Sequence, residues 1–551
     1  MVKVGGYNIG DIYQGGYSSL DPDKGYGSVF TGYRVSAGSL GLTTDIRNAN
    51  ILQEVSSKLS TGVKVIEVSA VSPEVFESMP DNHLKELNKL KKLTGIDITL
   101  HGPIIEPSGL TREGFSETNR EAAERQMEMV IDRSLQINPD GNSPVTFHSS
   151  AILPGEITQK DKKHPDETLI INSETGSINR LPLRQGAYPG EGEINVDKEV
   201  FKRNEEQWST TLTHLGYSTE RANELIHSSV FLKYGGEGRE KEGKQLLPEE
   251  KQAKQYFNIG VNYLNDSYRE LKELYNIAAN IATKQGNVED QKVLDEFSKK
   301  IEKKAERIND LSKKDKFNPE AIKLRQEIVE DGLEVLSKKI STPQMFQPLN
   351  DFAKKNTIKT FANVAFDSYS QHGDKSPIIS IENPPAGGAF ATGDELKQVV
   401  EASRELFVKR AVAEKGMSEK AAREQAEKLI GVTWDVGHIN MLRKFGYKEE
   451  DIIAQTKKIA PLVKHIHLSD NFGFEHTELP MGMGTVPIKE IMEQLEKKDV
   501  KKIIEAGNWW QHFKTPPLKE SMEAMGSPIY SMMMQPYWNQ TLGLYQGYFG
   551  G

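Results

Sequence analysis

Histidine and carboxylate side chains recur at the ends of short apolar runs in this sequence. They are Glu67, His101, His148, Glu382, Asp435, His438, His467, Asp470 and Glu505. His476 and Glu478 follow a few residues after Asp470. Five of the chain's 12 histidines belong to this set, whereas random placement would scatter them through helices and loops. All members except Glu67 and Asp470 are candidate metal ligands. The sequence therefore predicts a metal site built from the ends of several strands.

The absence of cysteine narrows the chemistry of that site. With no cysteine in the chain, disulfides, thiolate nucleophiles and Cys-based zinc or iron–sulfur sites are excluded. A set of His, Asp and Glu favours Zn²⁺, Mn²⁺ or Fe²⁺ over Mg²⁺, and a carboxylate such as Glu382 or Glu505 can bridge two ions. Such ions promote phosphodiester hydrolysis, and they equally promote sugar isomerisation while a carboxylate moves a proton. The ligand types leave both reactions open.

Each residue also has an ordinary structural interpretation when it is taken alone. His101, which precedes Gly-Pro, could be a structural histidine whose ring is held by hydrogen bonds. Glu67 could form an ion pair with a neighbouring cation. His465 lies two residues deeper than His467 on the same strand face, so we expect it to pack in the interior. The set as a whole, rather than any single member, favours a metal site.

Trp509 and Trp510 follow the last of the apolar runs. Two adjacent indole rings at that point fit either the wall of a substrate pocket or a cap on the fold. The sequence leaves these two interpretations open.

Alternation of apolar runs with amphipathic helices predicts an α/β fold. Four strand–helix units are predicted in 36–150 and four more in 343–515. This succession implies parallel strands, and eight units in about 290 residues have the size of a (β/α)8 TIM barrel. The active site of such a barrel forms at the carboxyl ends of its strands, where the candidate ligands lie.

Three further segments interrupt or flank the barrel pattern. Residues 151–342 are predicted to form a large, mostly helical insertion after strand four, beginning with a hairpin at 168–182. In its helical part, Tyr256, Tyr263 and Leu264 are predicted to share one apolar face. The Gly- and Tyr-rich ends, 1–35 and 516–551, are expected to be irregular. The insertion is the expected place for a contact with a partner or a second copy.

The composition is typical of a globular protein, with 36% apolar residues, 27% charged residues and a net charge of −9. No apolar run approaches the length of a spanning helix, and the first residues lack the pattern of a secretory signal. We therefore expect a soluble, cytoplasmic protein without membrane contact. The charge gives no general basic footprint for nucleic acid, although a local basic groove is compatible with it.

Six short motifs carry a resemblance to a known superfamily. LHGP, FHSS, IEN, DVGH, HLSD and IEAG occur in this order and resemble the xylose-isomerase-like TIM-barrel superfamily. That group includes the endonuclease IV family (apurinic endonuclease family 2) and many sugar isomerases and epimerases. The resemblance covers about 36–150 and 345–515, and neither the insertion nor the termini.

Similarity to the endonuclease IV family gives the first hypothesis for function. It implies three zinc ions and a hydrolase that cleaves DNA at abasic sites with a metal-activated hydroxide, and the sugar isomerases and epimerases are the alternative. The first site would use His101, His148 and Glu382; the second Glu382, Asp435, His467 and Glu505; and the third His438 with His476 and Glu478. Glu382 and Glu505 would orient metals and water. The family normally carries Asp-x-His where this chain has His476-Thr477-Glu478, so the third site departs from the pattern. Asp470 in HLSD would support the ligands from behind.

Similarity to the sugar isomerases and epimerases implies a smaller site. Only Glu382, Asp435, His467 and Glu505 would hold one Mn²⁺-like ion, and Glu382 and Glu505 would also act as the acid/base pair. Glu67 is more typical of these enzymes. The substrate would be a small sugar or sugar phosphate rather than DNA. A non-catalytic binding or assembly module, motivated by the insertion, is a third possibility, against which the intact ligand set argues.

Overall fold

The computed structural model describes residues 3–4, 7–8, 31, 33, 40–45, 48–157, 159–160, 166–183, 195–495, 500–507, 509 and 517–525. The Gly- and Tyr-rich ends predicted at 1–35 and 516–551 lie mostly outside these residues. The described chain divides into two compact units, Glu167–Pro348 and the remainder. The first of these overlaps the region where the sequence predicts an insertion.

Fifteen strands are described along these residues. They are β1 (Lys3–Val4), β2 (Tyr7–Asn8), β3 (Leu40–Thr43), β4 (Val65–Ser69), β5 (Asp97–His101), β6 (Leu110–Thr111), β7 (Gly114–Phe115), β8 (Pro144–His148), β9 (Glu167–Asn172), β10 (Ile178–Pro182), β11 (Phe346–Pro348), β12 (Ile378–Glu382), β13 (Ile430–Asp435), β14 (Val463–Leu468) and β15 (Lys501–Ile504). The helices are α1 (Ile51–Leu59), α2 (Pro73–Ser78), α3 (Asp81–Thr94), α4 (Glu117–Ile137), α5 (Val196–Lys241), α6 (Pro248–Gln285), α7 (Val288–Lys314), α8 (Pro319–Glu334), α9 (Leu349–His372), α10 (Gly393–Lys415), α11 (Glu419–Leu429), α12 (Val436–Asn440), α13 (Glu449–Ile459), α14 (Ile488–Leu495) and α15 (Leu518–Ala524).

Eight of the strands close into a parallel barrel. Its order is β3, β4, β5, β8, β12, β13, β14 and β15, and β15 pairs back onto β3. The strands are buried on both faces, which is why they are near-continuous apolar runs; all six residues of β13 are buried. The predicted (β/α)8 TIM barrel is therefore confirmed.

Local sequence signals explain where the barrel helices begin and end. Thr392 caps α10 and forms a capping box with Glu395. Asn50 accepts a hydrogen bond at the start of α1. Gly95 ends α3 in the left-handed conformation, with φ of 69°. These boundaries fix where each following strand starts and therefore where it ends.

Parallel register brings the predicted ligands to one end of the barrel. Glu382 lies opposite His148 on β8, and Asp435 on β13 lies opposite His467 on β14. Glu505 follows β15 directly, and its backbone N–H donates to Leu468 O at 2.9 Å. Side chains from strands that are far apart in the sequence thus meet at the carboxyl ends of the sheet.

The unit Glu167–Pro348 is a helical subdomain with a small sheet. β9 and β10 form an antiparallel hairpin, with Gly176 at φ of 73° between them, and β11 adds a third strand. α5 to α8 pack around a core that includes Trp208, Leu215 and Leu271. No helix in the described part of the chain is long and apolar enough to cross a membrane.

The prediction of one apolar helix face in this unit is only partly correct. Leu264 is fully buried, but Tyr256 and Tyr263 on the same helix are 43% and 47% exposed. α6 is buried along a narrower stripe than the helical periodicity suggests, and the two tyrosines lie at its edge.

Candidate metal centre

The carboxyl ends of β12 to β15 bring four ligand-type side chains together. Ligand atoms of Glu382, Asp435, His467 and Glu505 all lie within 4.8 Å of one another. His467 Nδ1 is 2.7 Å from Glu382 Oε1 and 2.9 Å from Glu505 Oε2. Glu382, Asp435 and His467 are fully buried. We call these four residues the carboxylate centre.

A second group shares Glu382 with the carboxylate centre. His101 Nε2 lies 3.1 Å and His148 Nε2 3.2 Å from Glu382 Oε2. The ligand atoms of these three residues also lie within 4.8 Å of one another. His101 Nδ1 is 2.8 Å from Gly102 O. Because Nδ1–H can donate to that carbonyl, the Nε2 atom is directed at the centre.

The chemistry of the donor set fits a bound cation. Three carboxylates surround one imidazole in the carboxylate centre, and His467 Nδ1 carries at most one hydrogen although two carboxylate oxygens approach it. Glu505 Oε2 is buried, and its 2.9 Å contact with His467 Nδ1 lacks hydrogen-bond geometry, so this oxygen has no hydrogen-bond partner among the described residues. A divalent ion would satisfy these oxygens together, which the ring cannot do alone.

The pKa shifts in the ion-free protein follow from the same crowding. Burial, reinforced by the charges of Glu505 and Glu382, raises the pKa of Asp435 well above its ordinary value. Burial opposes the charging of His467, but the carboxylates around it outweigh this and raise its pKa. Burial likewise opposes the charging of His101, yet its contacts with Glu382 raise the pKa of His101 to about 9. In the absence of an ion, protons on these groups compensate the excess negative charge.

Glu67 and His465 form a buried pair beneath the carboxylate centre. His465 Nε2 is 2.9 Å from Glu67 Oε2, and Thr99 Oγ1 donates to the same oxygen at 3.1 Å. Glu67 Oε1 lies 3.1 Å from His467 Nε2, on the side of the ring that faces away from Glu382. His465 is buried, as its interior position suggested, but it also contacts a carboxylate that touches a candidate ligand. The spacing of the strands gave no sign of this contact.

The third predicted group is only partly assembled. His438 Nε2 and His476 Nε2 are 2.8 Å apart, and Glu478 Oε1 is 3.5 Å from His476 Nε2. His438, His476 and Glu478 are not among the groups of described residues whose ligand atoms all lie within 4.8 Å. Glu478 has φ of 45°, and its Oε2 accepts from Gly507 N–H at 3.1 Å. Burial, followed by the neighbouring His476, lowers the pKa of His438 to about 3.

Asp435 and His438 are held by a tight turn after β13. Asp435 Oδ1 accepts the His438 backbone N–H at 2.7 Å, and His438 Nδ1 lies 2.7 Å from Asn383 O. A Cβ atom at Gly437 would lie 2.1 Å from Ser469 Oγ. Glycine is required there because the turn passes directly against the end of β14.

Asp470 organises a loop. Its carboxylate accepts backbone N–H groups of Asn471 at 2.9 Å, Gly482 at 2.9 Å and Val486 at 3.1 Å. Burial raises its pKa to about 6, against the effect of these backbone donors. Asp470 thus shapes the loop that carries His476 and Glu478.

A cavity of about 290 Å³ opens above the ligands. Its wall includes Asp45, Lys58, His101, His148, His438, His476, Glu478 and Glu505, together with apolar side chains such as Leu42, Val71, Ile104 and Pro517. Among the described wall residues, Lys58 is the single lysine or arginine. Trp509 is not among the described wall residues, and Trp510 lies outside the residues that the structure describes.

These features define a (β/α)8 barrel with a buried His/carboxylate centre at the carboxyl ends of its strands. Residues 415–527 match the family model described as xylose isomerase-like TIM barrel. Over these residues the chain is similar to the xylose-isomerase-like TIM barrels, in agreement with the resemblance found in the motifs. The superfamily contains epimerases, isomerases and endonucleases, and its members often bind divalent metals.

The other comparisons add little to this assignment. A solved structure described as "Crystal structure of D-tagatose 3-epimerase-like protein" matches with 11% identity and a TM-score of 0.39, covering 88% of this chain and 98% of that one. At so low a TM-score, the likeness says nothing further about fold or activity. No curated protein matches this chain significantly.

Proposed function

We propose that this protein is a divalent-metal-dependent isomerase or epimerase of a small, unphosphorylated sugar or a related polyhydroxy carbonyl compound. One observation carries the proposal: the carboxylate centre reaches a cavity of about 290 Å³ through Glu505, which lines its wall. That volume is at the lower end of the range for small-molecule sites. A DNA duplex would instead need a wide surface rich in lysine and arginine.

The four residues of the carboxylate centre would hold the ion, with Mn²⁺ or Zn²⁺ as the candidates for this donor set. Bound there, a divalent ion would polarise the adjacent carbonyl and hydroxyl oxygens of a sugar. Glu67 would hold the His467 ring in place through its 3.1 Å contact with Nε2.

Glu505 is the carboxylate that we assign to proton transfer. It lines the cavity and keeps 24% of its side chain exposed, whereas Glu382 is fully buried beneath it. We therefore assign Glu382 as a ligand and leave its predicted role in acid/base chemistry to experiment. His101 and His148 also line the cavity and would exchange protons on the other side of the substrate.

The charges of the cavity wall favour a neutral substrate. Asp45, Glu478 and Glu505 face the same space as Lys58. An extra phosphate group would meet net negative charge there. A sugar instead offers hydroxyl groups that can donate to these carboxylates.

The test is solvent deuterium exchange. Metal-loaded protein is incubated in D₂O with a panel of ketoses and aldoses, each with and without a phosphate group, and incorporation at carbon is measured by NMR. We expect incorporation into an unphosphorylated sugar, abolished by EDTA and by Glu505→Gln. The matched control, Glu475→Gln, changes an exposed carboxylate of the loop after β14 and should retain activity. Absence of exchange with every sugar, with metal bound, would refute the proposal.

A second candidate, the metal-dependent hydrolase acting at abasic sites in DNA, is favoured by one specific observation. His101, His148 and Glu382 form a further ligand group, and His438 and His476 meet beside it. Incision of a duplex that carries one abasic-site analogue, together with the metal content of the purified protein, distinguishes the two. Cutting 5′ to the lesion with three bound ions would support the hydrolase. One or two ions without cutting would support the sugar enzyme.

A further inference from the structure

A groove in the helical subdomain gathers positively charged side chains, and no carboxylate is among its described wall residues. It lies among α6, α7 and α8 and has a volume of about 520 Å³. Its wall includes Arg269, Lys272, Lys313 and Arg325. We call this the basic groove. It is separate from the carboxylate centre, which belongs to the other compact unit.

Arg325 gives the groove a buried charge. The side chain is only 8% exposed, yet it forms no ion pair with any described residue, and its Nη1 atom is buried without a hydrogen-bond partner among them. Its Nη2 donates to Ser312 Oγ, while Ser312 itself donates to Ile308 O at 2.6 Å. A buried guanidinium normally has a carboxylate partner. Here its one described side-chain partner is a neutral hydroxyl.

Neighbouring cations on the same helices do have acidic partners. Lys300, Lys304 and Arg307 on α7 pair with Asp331, Glu327 and Glu320 of α8, at 2.9, 2.7 and 3.0 Å. Carboxylates are therefore available along this helix pair, but none of these three lines the groove.

The other three cations of the groove wall have surroundings different from those of Arg325. Lys313 is exposed in the last turn of α7 and has no ion pair among the described residues. Lys272 Nζ lies 4.3 Å from the centre of the Tyr268 ring, and Tyr268 also lines the groove. Arg269 pairs with the exposed Asp266 at 3.1 Å. The groove is therefore lined by N–H donors of lysine and arginine side chains, with the buried charge of Arg325 in its wall.

We propose that the basic groove binds the phosphoryl group of a small phosphorylated molecule. A phosphoryl group carries nearly two negative charges and three acceptor oxygens, which suits several lysine and arginine donors around one space. The volume leaves room for the organic part of a phosphate ester beside Tyr268. This inference does not depend on the proposed function of the barrel.

Calorimetric titration of the full-length protein with inorganic phosphate tests the proposal, with sodium chloride at equal ionic strength as the reference. Lys313→Gln should weaken phosphate binding about tenfold, because one charge-assisted hydrogen bond is lost. Lys314→Gln is the matched control, since Lys314 is an exposed lysine in the same helical turn that does not line the groove. It should bind like the wild type. Arg325→Gln should abolish binding, and Lys272→Gln replaces it as a second test if that variant does not fold.

Three outcomes would overturn the proposal. The first is no heat of binding beyond that of chloride. The second is equal weakening by Lys313→Gln and Lys314→Gln, which would show only general charge attraction. The third is binding unaffected by every groove variant, which would place the phosphate at another site such as the carboxylate centre. Preferential binding of duplex DNA over inorganic phosphate, lost with the same variants, would also refute a small-molecule site.

Discussion

Asp435→Asn should make the ion-free protein more stable and the ion-loaded protein less stable. Asp435 is fully buried, and its ligand atom lies within 4.8 Å of those of Glu382 and Glu505. The His438 backbone N–H at 2.7 Å and the Ser469 hydroxyl at 3.2 Å donate to Asp435 Oδ1. An asparagine oxygen can accept both hydrogen bonds, so the substitution removes charge and keeps the turn.

The magnitude follows from the charges of the carboxylate centre. At 4.8 Å, the upper limit of the separation between its ligand atoms, two like unit charges repel by about 3.5 kcal/mol at an effective dielectric constant of about 20. Asp435 has two such neighbours, and a protonated His467 offsets about one of them. Partial protonation of the cluster reduces the remainder further. We therefore expect Asp435→Asn to raise the free energy of unfolding of the ion-free protein by about 1 to 3 kcal/mol.

The pH dependence has a defined sign. The pKa of Asp435 in the folded, ion-free protein is raised above its ordinary value of 3.8, so the folded state binds this proton more tightly than the unfolded state. The destabilisation caused by Asp435 therefore grows as the pH rises above 3.8 through the folded pKa. The increase in the free energy of unfolding from Asp435→Asn should be largest at high pH and should shrink as the pH falls towards 3.8, the ordinary pKa of aspartate.

Urea denaturation, followed by circular dichroism with EDTA or with saturating Mn²⁺, measures both effects. An ion at 100 times its dissociation constant stabilises the wild type by about 2.7 kcal/mol, and Asp435→Asn should lose most of this, so the order of stability reverses. Asp394→Asn, an exposed aspartate at the start of α10, is the matched control and should leave the order unchanged. A variant that is less stable than the wild type in EDTA would refute the reasoning, because the carboxylate would then be stabilising the fold itself.

Two other substitutions test the supporting structure. Glu67→Gln should weaken metal affinity about 10- to 100-fold in a chelator competition, because it removes the negative charge that supports the His467 ring. Unchanged affinity would show that the ring is held by its other contacts. Gly437→Ala should lower the free energy of unfolding by about 1 to 3 kcal/mol, since its Cβ would meet Ser469 Oγ at 2.1 Å. Gly238→Ala, in a helix with nothing within 4 Å of the added Cβ, should instead raise it by about 0.5 to 1 kcal/mol. Equal effects of the two glycine substitutions in urea denaturation would contradict the steric argument.

The sequence predicted the barrel and most of the candidate centre because both depend on strand ends. A parallel strand buried on both faces is a recognisable apolar run, and the first ionisable residue after it lies at the carboxyl end of the sheet. Glu382, Asp435 and Glu505 were placed in this way. Their grouping needs no further information, since barrel closure brings all strand ends to one mouth.

Contacts across the barrel interior could not be predicted in the same way. Glu67 is on β4 and His465 on β14, strands that are not neighbours in the sheet, so no register rule connects them. Their 2.9 Å contact depends on which side chains reach the barrel axis at the same depth. The position of Asp470 in HLSD predicts support of the ligands from behind. In the structure, the path of the loop sets its position, because its carboxylate accepts hydrogen bonds from backbone N–H groups of that loop.

The contact between Glu67 and His465 bears on the choice between the two candidate functions. A fully buried Glu67 between two histidines orients His467 from below, which strengthens one ion position, the carboxylate centre. The loop that carries His476 and Glu478 is instead organised by its own backbone and by Asp470, and Glu478 is turned towards Gly507. Rigid support behind the carboxylate centre and a loop-borne set at the third predicted site argue against the three-ion arrangement of the hydrolase. That asymmetry is the physical reason to expect sugar chemistry before phosphodiester hydrolysis.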